Sequence, residues 1–201
     1  MKIKIRSIII VLILLILAGA YSFINKNHPI YDNAIDSSMY TAVQLGEGDG
    51  LEQEFLSVED RLDGMRIQLS SEGAADEITL KYELRDSSGS VKAEETAVLA
   101  NIKNGKFNLL KFDAAEGCDD ERLCFVMTVE SCGADSLLTV YTVPTDADSN
   151  RSLMSVNGQK TDGVMALRTV THRFDLETFV VTVCFGLYIM FFMTWLAKLF
   201  K

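Results

Sequence analysis

Thr178 to Ala197 is an uncharged run of 20 residues, "TFVVTVCFGLYIMFFMTWLA", and about 20 helical residues cross a bilayer's ~30 Å hydrocarbon layer. A second uncharged run of 17 residues, Ile8 to Ile24, stands near the other end, at the short limit of the spanning range. Lys2, Lys4 and Arg6 precede the first run, and Lys198 and Lys201 follow the second. The positive-inside bias therefore puts both termini in the cytoplasm and everything between the runs outside it. The first run also reads as a signal peptide, with a basic n-region, an apolar stretch from Ser7 to Leu17 and the small triplet Ala18-Gly19-Ala20. Scission after Ala20 would leave a single span. Renewed apolarity at Tyr21, Phe23 and Ile24 favours a retained anchor.

The polar remainder is acidic. Lys26 to His172 holds 13 Lys and Arg against 26 Asp and Glu. Such a surface repels phosphates, so nucleic acid is excluded as a partner. The expected organisation is a cytoplasmic N-terminus (1–6), a transmembrane helix or signal peptide (7–24), a stalk or irregular lead-in (25–50), an extracytoplasmic β-sandwich (51–173), a transmembrane helix (178–197) and a cytoplasmic C-terminus (198–201). One lobe of this length buries a sizeable core.

Period two governs the lobe. Met65, Ile67 and Leu69 alternate with Arg66, Gln68 and Ser70, and Ile78, Leu80, Tyr82 and Leu84 alternate with Thr79, Lys81, Glu83 and Arg85. Each is a strand with one wet face. Asp86-Ser87-Ser88-Gly89 supplies turn chemistry before a return strand from Val91. Further strands are expected at Lys106–Phe112, Leu123–Val129, Leu137–Val143 and Val164–Val170. Leu123–Val129 is apolar on both faces, which predicts a central strand covered on both sides. Asn157-Gly158 marks a tight hairpin. Eight or nine short strands without an amphipathic helix predict a mainly β fold, an antiparallel two-sheet sandwich between terminal transmembrane helices.

The segments "LEQEFLSVEDRLDGMRIQLS", "ITLKYELRDSSGSVKAEETAV", "GKFNLLKFDAAEGCDDERLCFVMTVES" and "VNGQKTDGVMALRTVTHR" resemble an extracytoplasmic jelly-roll domain of membrane proteins from bacterial cell-surface polysaccharide loci. The matching residues are Gln53, Phe55, Leu62, Gly64, Leu84, Arg85, Asp86, Phe112, Asn157, Gly158, Gly163 and Ala166, over about Leu51 to Arg173. The resemblance implies a fold similar to carbohydrate-binding modules. Those hold sugars on exposed rings, whereas the sole Trp, Trp195, lies in the second apolar run. Tyr82, Tyr141, Phe107 and Phe125 fall on strand positions that also read as core, and Tyr31 and Tyr40 fall in the lead-in.

Constellations for chemistry are few. His28 and His172 flank the apolar runs, which leaves the sandwich no imidazole for a nucleophile–base pair or a metal. No catalytic residue and no cofactor is expected, and the ligand-binding residues stay unassigned. Asp119, Asp120 and Glu121, beside Glu116, form a weak Ca²⁺ candidate without calcium-loop spacing. Cys118 and Cys124 are a candidate disulfide, but with Cys132 the exported thiols number three, and free thiols are the slightly preferred reading. Asn150-Arg151-Ser152 is a glycosylation sequon. Ala18 and Gly19 in the first run, and Cys184 and Gly186 in the second, are small enough for close helix packing.

The expected function is a noncatalytic membrane-anchored accessory protein of cell-envelope polysaccharide assembly or export. Its expected partners are the membrane, a polytopic membrane protein of glycan assembly and a glycan. A chain-length regulator of the polysaccharide copolymerase kind is an alternative, disfavoured by the absence of heptads and of a proline-rich second span. A carboxylate-dependent glycan hydrolase ranks last, because abundant acids do not single out a pair.

Overall fold

The structure, a computed structural model, describes residues 5–145 and 154–200. Lys2, Lys4, Lys201 and the sequon Asn150-Arg151-Ser152 lie outside the described residues. The chain divides into two compact units, Asn27–Thr171 and Met1–Lys26 with His172–Lys201.

Alternating polarity becomes strand after strand: β1 (Phe23–Pro29), β2 (Thr41–Leu45), β3 (Gly50–Leu56), β4 (Leu62–Glu72), β5 (Thr79–Arg85), β6 (Val91–Val98), β7 (Lys106–Ala115), β8 (Arg122–Ser131), β9 (Leu137–Val143), β10 (Met154–Val156), β11 (Gln159–Thr161), β12 (Val164–Met165) and β13 (Leu167–Phe174). They form two antiparallel sheets. In the first, β4 pairs with β7 along one edge and with β9 and β13 along the other, while β9 also takes β2 and β12, and β13 takes β1. The second runs β11-β10-β3-β8-β5-β6. The fold is mainly β, and the two sheets share one core. Met65, Ile67, Leu69, Leu138 and Val140 face it from the first sheet, and Leu51, Phe55, Leu80, Leu84, Phe125 and Met127 from the second.

Burying such side chains yields roughly 1.5–3 kcal/mol each, but apolar contact is non-directional. Two polar bonds connect the sheets inside this core. Tyr82 of β5, 2% exposed, donates its hydroxyl to the Lys111 carbonyl of β7 at 2.6 Å. Gln53 of β3, fully buried, accepts the Met165 N–H of β12 on its Oε1 at 2.9 Å.

Turn chemistry follows the residues expected for it. The Asp86 carboxylate accepts the Ser88 hydroxyl and the N–H groups of Ser90 and Ser88, which hold it below the usual carboxylate range. Asn157 and Gly158 take φ of 51° and 75°, the positive pair that a two-residue hairpin between β10 and β11 needs.

Three expectations about the lobe need correction. The 25–50 segment is no stalk: most of β1, all of β2 and a 3₁₀ turn at Ser37–Met39 lie within it, and the compact unit starts at Asn27. Strand β8 is central, but only its Leu123, Phe125, Met127 and Val129 face lies in the core. On its other face Val126 stands in register between Glu52 of β3 and Glu83 of β5, and long charged side chains rather than a third layer shield it. Finally, the lobe does contain an imidazole, because His28 belongs to β1, where its carbonyl accepts the Thr169 hydroxyl at 3.3 Å.

In the other unit, α1 spans Ile5–Tyr21 and α2 Leu176–Leu199. Among the described residues only α2, with 24 residues, is long and apolar enough to cross a membrane. The first helix stops at Tyr21 rather than Ile24. Its 17 residues amount to about 25 Å at ~1.5 Å per residue. The N–H and hydroxyl of Ser22 both turn back to the Ala18 carbonyl, at 3.0 and 2.6 Å, after which the chain is extended. At the start of α2, Asp175 caps the helix by accepting the Thr178 N–H and hydroxyl. Asp175 also donates its own N–H to the Ser22 carbonyl at 2.8 Å and pairs with Lys26 at 2.7 Å. Further along, the Leu14 side chain fills the space beside Gly186. The helices are therefore antiparallel neighbours.

Candidate functional site

The outward faces of the two sheets differ in kind. On the second sheet, charges meet partners: Arg85 with Glu83 at 2.9 Å, Lys81 with Glu94 at 3.5 Å and Arg122 with Glu54 at 3.6 Å. That is an ordinary solvated surface, and exposed pairs contribute little.

The first sheet is furnished otherwise. Alternation in β4 turns Arg66, Gln68 and Ser70 outward, opposite the buried Met65, Ile67 and Leu69. The β13 register sets Arg168 directly across from Arg66, and the β7 register sets Leu109 and Phe107 across from Arg66 and Gln68. The segment between β1 and β2 folds over this face. Its course is set by local turns, with Asp32 accepting from the Ala34 N–H at 2.8 Å and Asp36 from the Ser38 N–H at 2.8 Å. Tyr31 is thereby buried to 8% exposure in a second apolar cluster with Val143, Val164 and Ala166, flanked by Ile35, Tyr40, Phe107 and Tyr141.

The Arg168 guanidinium lies over the Phe107 ring, 4.0 Å from its centroid, and donates from Nε and Nη2 to the Tyr31 hydroxyl at 3.2 and 2.9 Å. Tyr31 and Phe107 are nearly parallel, 7° apart with centroids at 6.3 Å, and Tyr40 meets Tyr31 edge-on at 6.2 Å. A guanidinium over a ring face is held by the ring quadrupole. Beyond it, the Tyr141 and Ser70 hydroxyls meet at 3.2 Å, and Gln68 Nε2 donates to the Gly105 carbonyl at 3.1 Å. Burial, reinforced by neighbouring Tyr31, pushes the Tyr40 phenol up, so it stays a protonated donor.

The electrostatics of this face stand out against the acidic whole. Among the described residues, Arg66 and Arg168 make no ion pair with any carboxylate. The Nε of Arg66 is buried and has no hydrogen-bond partner. Like charges directly opposite on neighbouring strands repel. The arrangement is thus a cationic pair walled by aromatic rings and hydroxyls, a donor set for a planar anion.

The residues singled out in the sequence are placed elsewhere. Glu121 pairs with Lys92 at 2.7 Å, and Asp120 sits in a turn at φ 54°. Among the described residues no three His, Cys, Asp or Glu side chains gather as metal ligands, so Asp119, Asp120 and Glu121 do not form the calcium candidate. Nor are Cys118 and Cys124 joined. Cys118 is buried in the core, where burial pushes its thiol up. Cys124 looks outward from β8, raised to about 11 by burial with Glu52 and Glu54 adding to it. Both are free thiols. Of the small residues in the helices, Ala18 is fully buried and Gly186 touches Leu14, whereas Gly19 has open space beside it and Cys184 is exposed.

Sequence reasoning put Tyr82 and Phe125 in the core, where they are, but treated Phe107 and Tyr141 the same way and consigned Tyr31 and Tyr40 to a stalk. These four gather on the outer face of the first sheet. Arg66 and Arg168 are 102 positions apart, and only the pairing register reveals them as neighbours.

No family model matches the chain, and no curated protein matches it. Solved structures similar to it include that of infectious bursal disease virus strain Gx, at 11% identity over 79% of this chain and 46% of that one, with a TM-score of 0.28. The VP2 subviral particle of the same virus follows at 10% identity over 73% of this chain and 37% of that one, with a TM-score of 0.18. The chain spans less than half the length of either, and a likeness this slight bears on neither fold family nor function.

Proposed function

We propose that this protein is a noncatalytic, membrane-anchored recognition module of bacterial cell-envelope polysaccharide assembly or export. Its lobe is a jelly roll on the extracytoplasmic side, and both termini are cytoplasmic. The observation that carries the reading is the outer face of the first sheet, with its aromatic rings, hydroxyls and unpaired guanidiniums beside an ion-paired second face. Strand wiring supports the jelly-roll assignment: in β2-β9-β4-β7 opposite β3-β8-β5-β6, successive strands alternate between the two sheets except at the β5–β6 hairpin, the order of that fold. The antiparallel α1 and α2 support a common side for the termini, and α2 supports membrane attachment.

Affinity purification of the full chain in mild detergent, with protease protection on whole cells, tests the reading. Co-isolation of a glycosyltransferase or flippase and digestion of the lobe from outside are the expected results. A solitary chain, or a lobe digested only in inverted vesicles, overturns it.

A further inference from the structure

We infer that the cross-strand pair Arg66–Arg168 is an anion site that takes the carboxylate of an acidic saccharide, a uronic acid unit within a glycan chain. The inference rests on the recognition-module reading and names its ligand class.

Four observations lead there. The two guanidiniums occupy directly opposed positions of β4 and β13, where their mutual repulsion calls for a counter-charge. The acids nearest in the covering segment, Asp32 and Asp36, are engaged with the backbone of their own turns at Ala34 and Ser38. Arg66 holds a buried Nε donor with no acceptor, and a buried donor is normally satisfied by protein, water or ligand. Arg168 is fixed by Tyr31 and Phe107, so one half of the pair is already oriented. A carboxylate is planar and has two acceptor oxygens, which suits the fork of a guanidinium better than it suits a point charge.

The surroundings select a sugar over other carboxylates. Within the same patch the hydroxyls of Tyr31, Tyr141 and Ser70 and the amide of Gln68 can donate and accept as sugar hydroxyls do. Phe107 and Tyr40, packed against Tyr31 and each only half-buried, add an apolar rim to the patch that the C–H groups of a pyranose can meet. An acidic protein that reserves two unpaired arginines for one aromatic patch discriminates against neutral glycans, which leave the charges uncompensated, and not merely in favour of sugars.

Oligogalacturonate titrated into the full chain in detergent, followed by the Arg66 Nε–H resonance and by calorimetry, is the test. Saturable binding that moves this resonance, weakens as salt is added and falls about tenfold or more in Arg66→Gln is expected. Arg66→Lys keeps the charge without the fork and should recover only part of the loss. Arg122→Gln, on the opposite face, should bind like the unaltered chain and so controls for folding and for general charge. Neutral galactose oligomers should not bind. Equal binding of inorganic phosphate or of anionic phospholipid vesicles at the same arginines, neutral oligomers binding as well as charged ones, or no response at Arg66 Nε–H would each overturn the inference. A chain that co-isolates with a glycan-assembly protein yet ignores oligogalacturonate sinks this inference and leaves the module reading standing.

Discussion

Tyr82→Phe removes one hydroxyl from the core and leaves the ring's volume in place. In the native fold that hydroxyl bridges the sheets to the Lys111 carbonyl at 2.6 Å, from a side chain 2% exposed. A neutral hydrogen bond is worth about 1 kcal/mol net, and a buried acceptor left unmatched raises the loss to about 1–3 kcal/mol. At roughly 2–4 °C per kcal/mol for a chain of this size, Tm should fall by about 2–12 °C. Tyr82→Ala, which also opens a cavity, should lose a further ~2 kcal/mol or more. The phenol adds a pH signature. Burial, with a contribution from the Glu95 charge, raises it to about 12 from the ordinary 10. The folded value lies above the unfolded one, so the fold favours the protonated form. This contribution is fully present below pH 10 and disappears as pH rises from 10 to about 12, with a ceiling of ~2.7 kcal/mol at ~1.36 kcal/mol per unit. Urea unfolding of the full chain in detergent, followed by near-UV circular dichroism across that range, measures it. The difference between the native chain and Tyr82→Phe isolates this tyrosine from the others, and the two curves should converge toward the upper end. Equal stability near neutrality, or parallel decline of both chains in alkali, would refute the cross-sheet bond.

The Asp175 carboxylate, held at about 2 by Lys26 and the Thr178 hydroxyl, has a folded value below its ordinary 3.8. Its stabilising effect should therefore persist above pH 4 and vanish as pH falls toward 2, and carbon-detected NMR titration of Asp175 against Lys26→Met checks it. Gly73 has φ 75°, and an added Cβ would meet the Asp135 carbonyl at 2.5 Å and the Ser136 hydroxyl at 2.7 Å. Gly73→Ala should lower stability by about 1–3 kcal/mol in denaturant unfolding. Gly186→Ile would displace the Leu14 side chain and should lengthen spin-label distances between α1 and α2, while Gly19→Ala, in open space, should leave them unchanged.

Much of the lobe was legible because one period dominates it: β5 and the middle of β4 bury every second residue, and β8 does so apart from Val126, and the Asp86 and Asn157 turns declare themselves by residue type. The 25–50 stretch was not legible, because "FINKNHP" and "TAVQL" carry mixed polarity and become strands only through partners more than 90 residues away, β13 and β9. Local propensity has little to say where the stabilising contacts are that distant. The end of α1 depended on one hydroxyl, Ser22, closing on Ala18. The candidate site was hidden for a related reason, since single charged residues on two separate strands look like solvated positions until the register sets them side by side.

Gln53 has a wider consequence than the bond it accepts from the Met165 N–H. Oily layers slide past each other at small cost, whereas a fully enclosed amide that meets the Met165 N–H on one sheet and the Glu54 carbonyl on the other tolerates little offset. Together with the Tyr82 hydroxyl it acts as a dowel. The pair fixes the lateral alignment of the two β layers, and a chain without both would keep its strands yet lose the common frame in which the loops at either end are held.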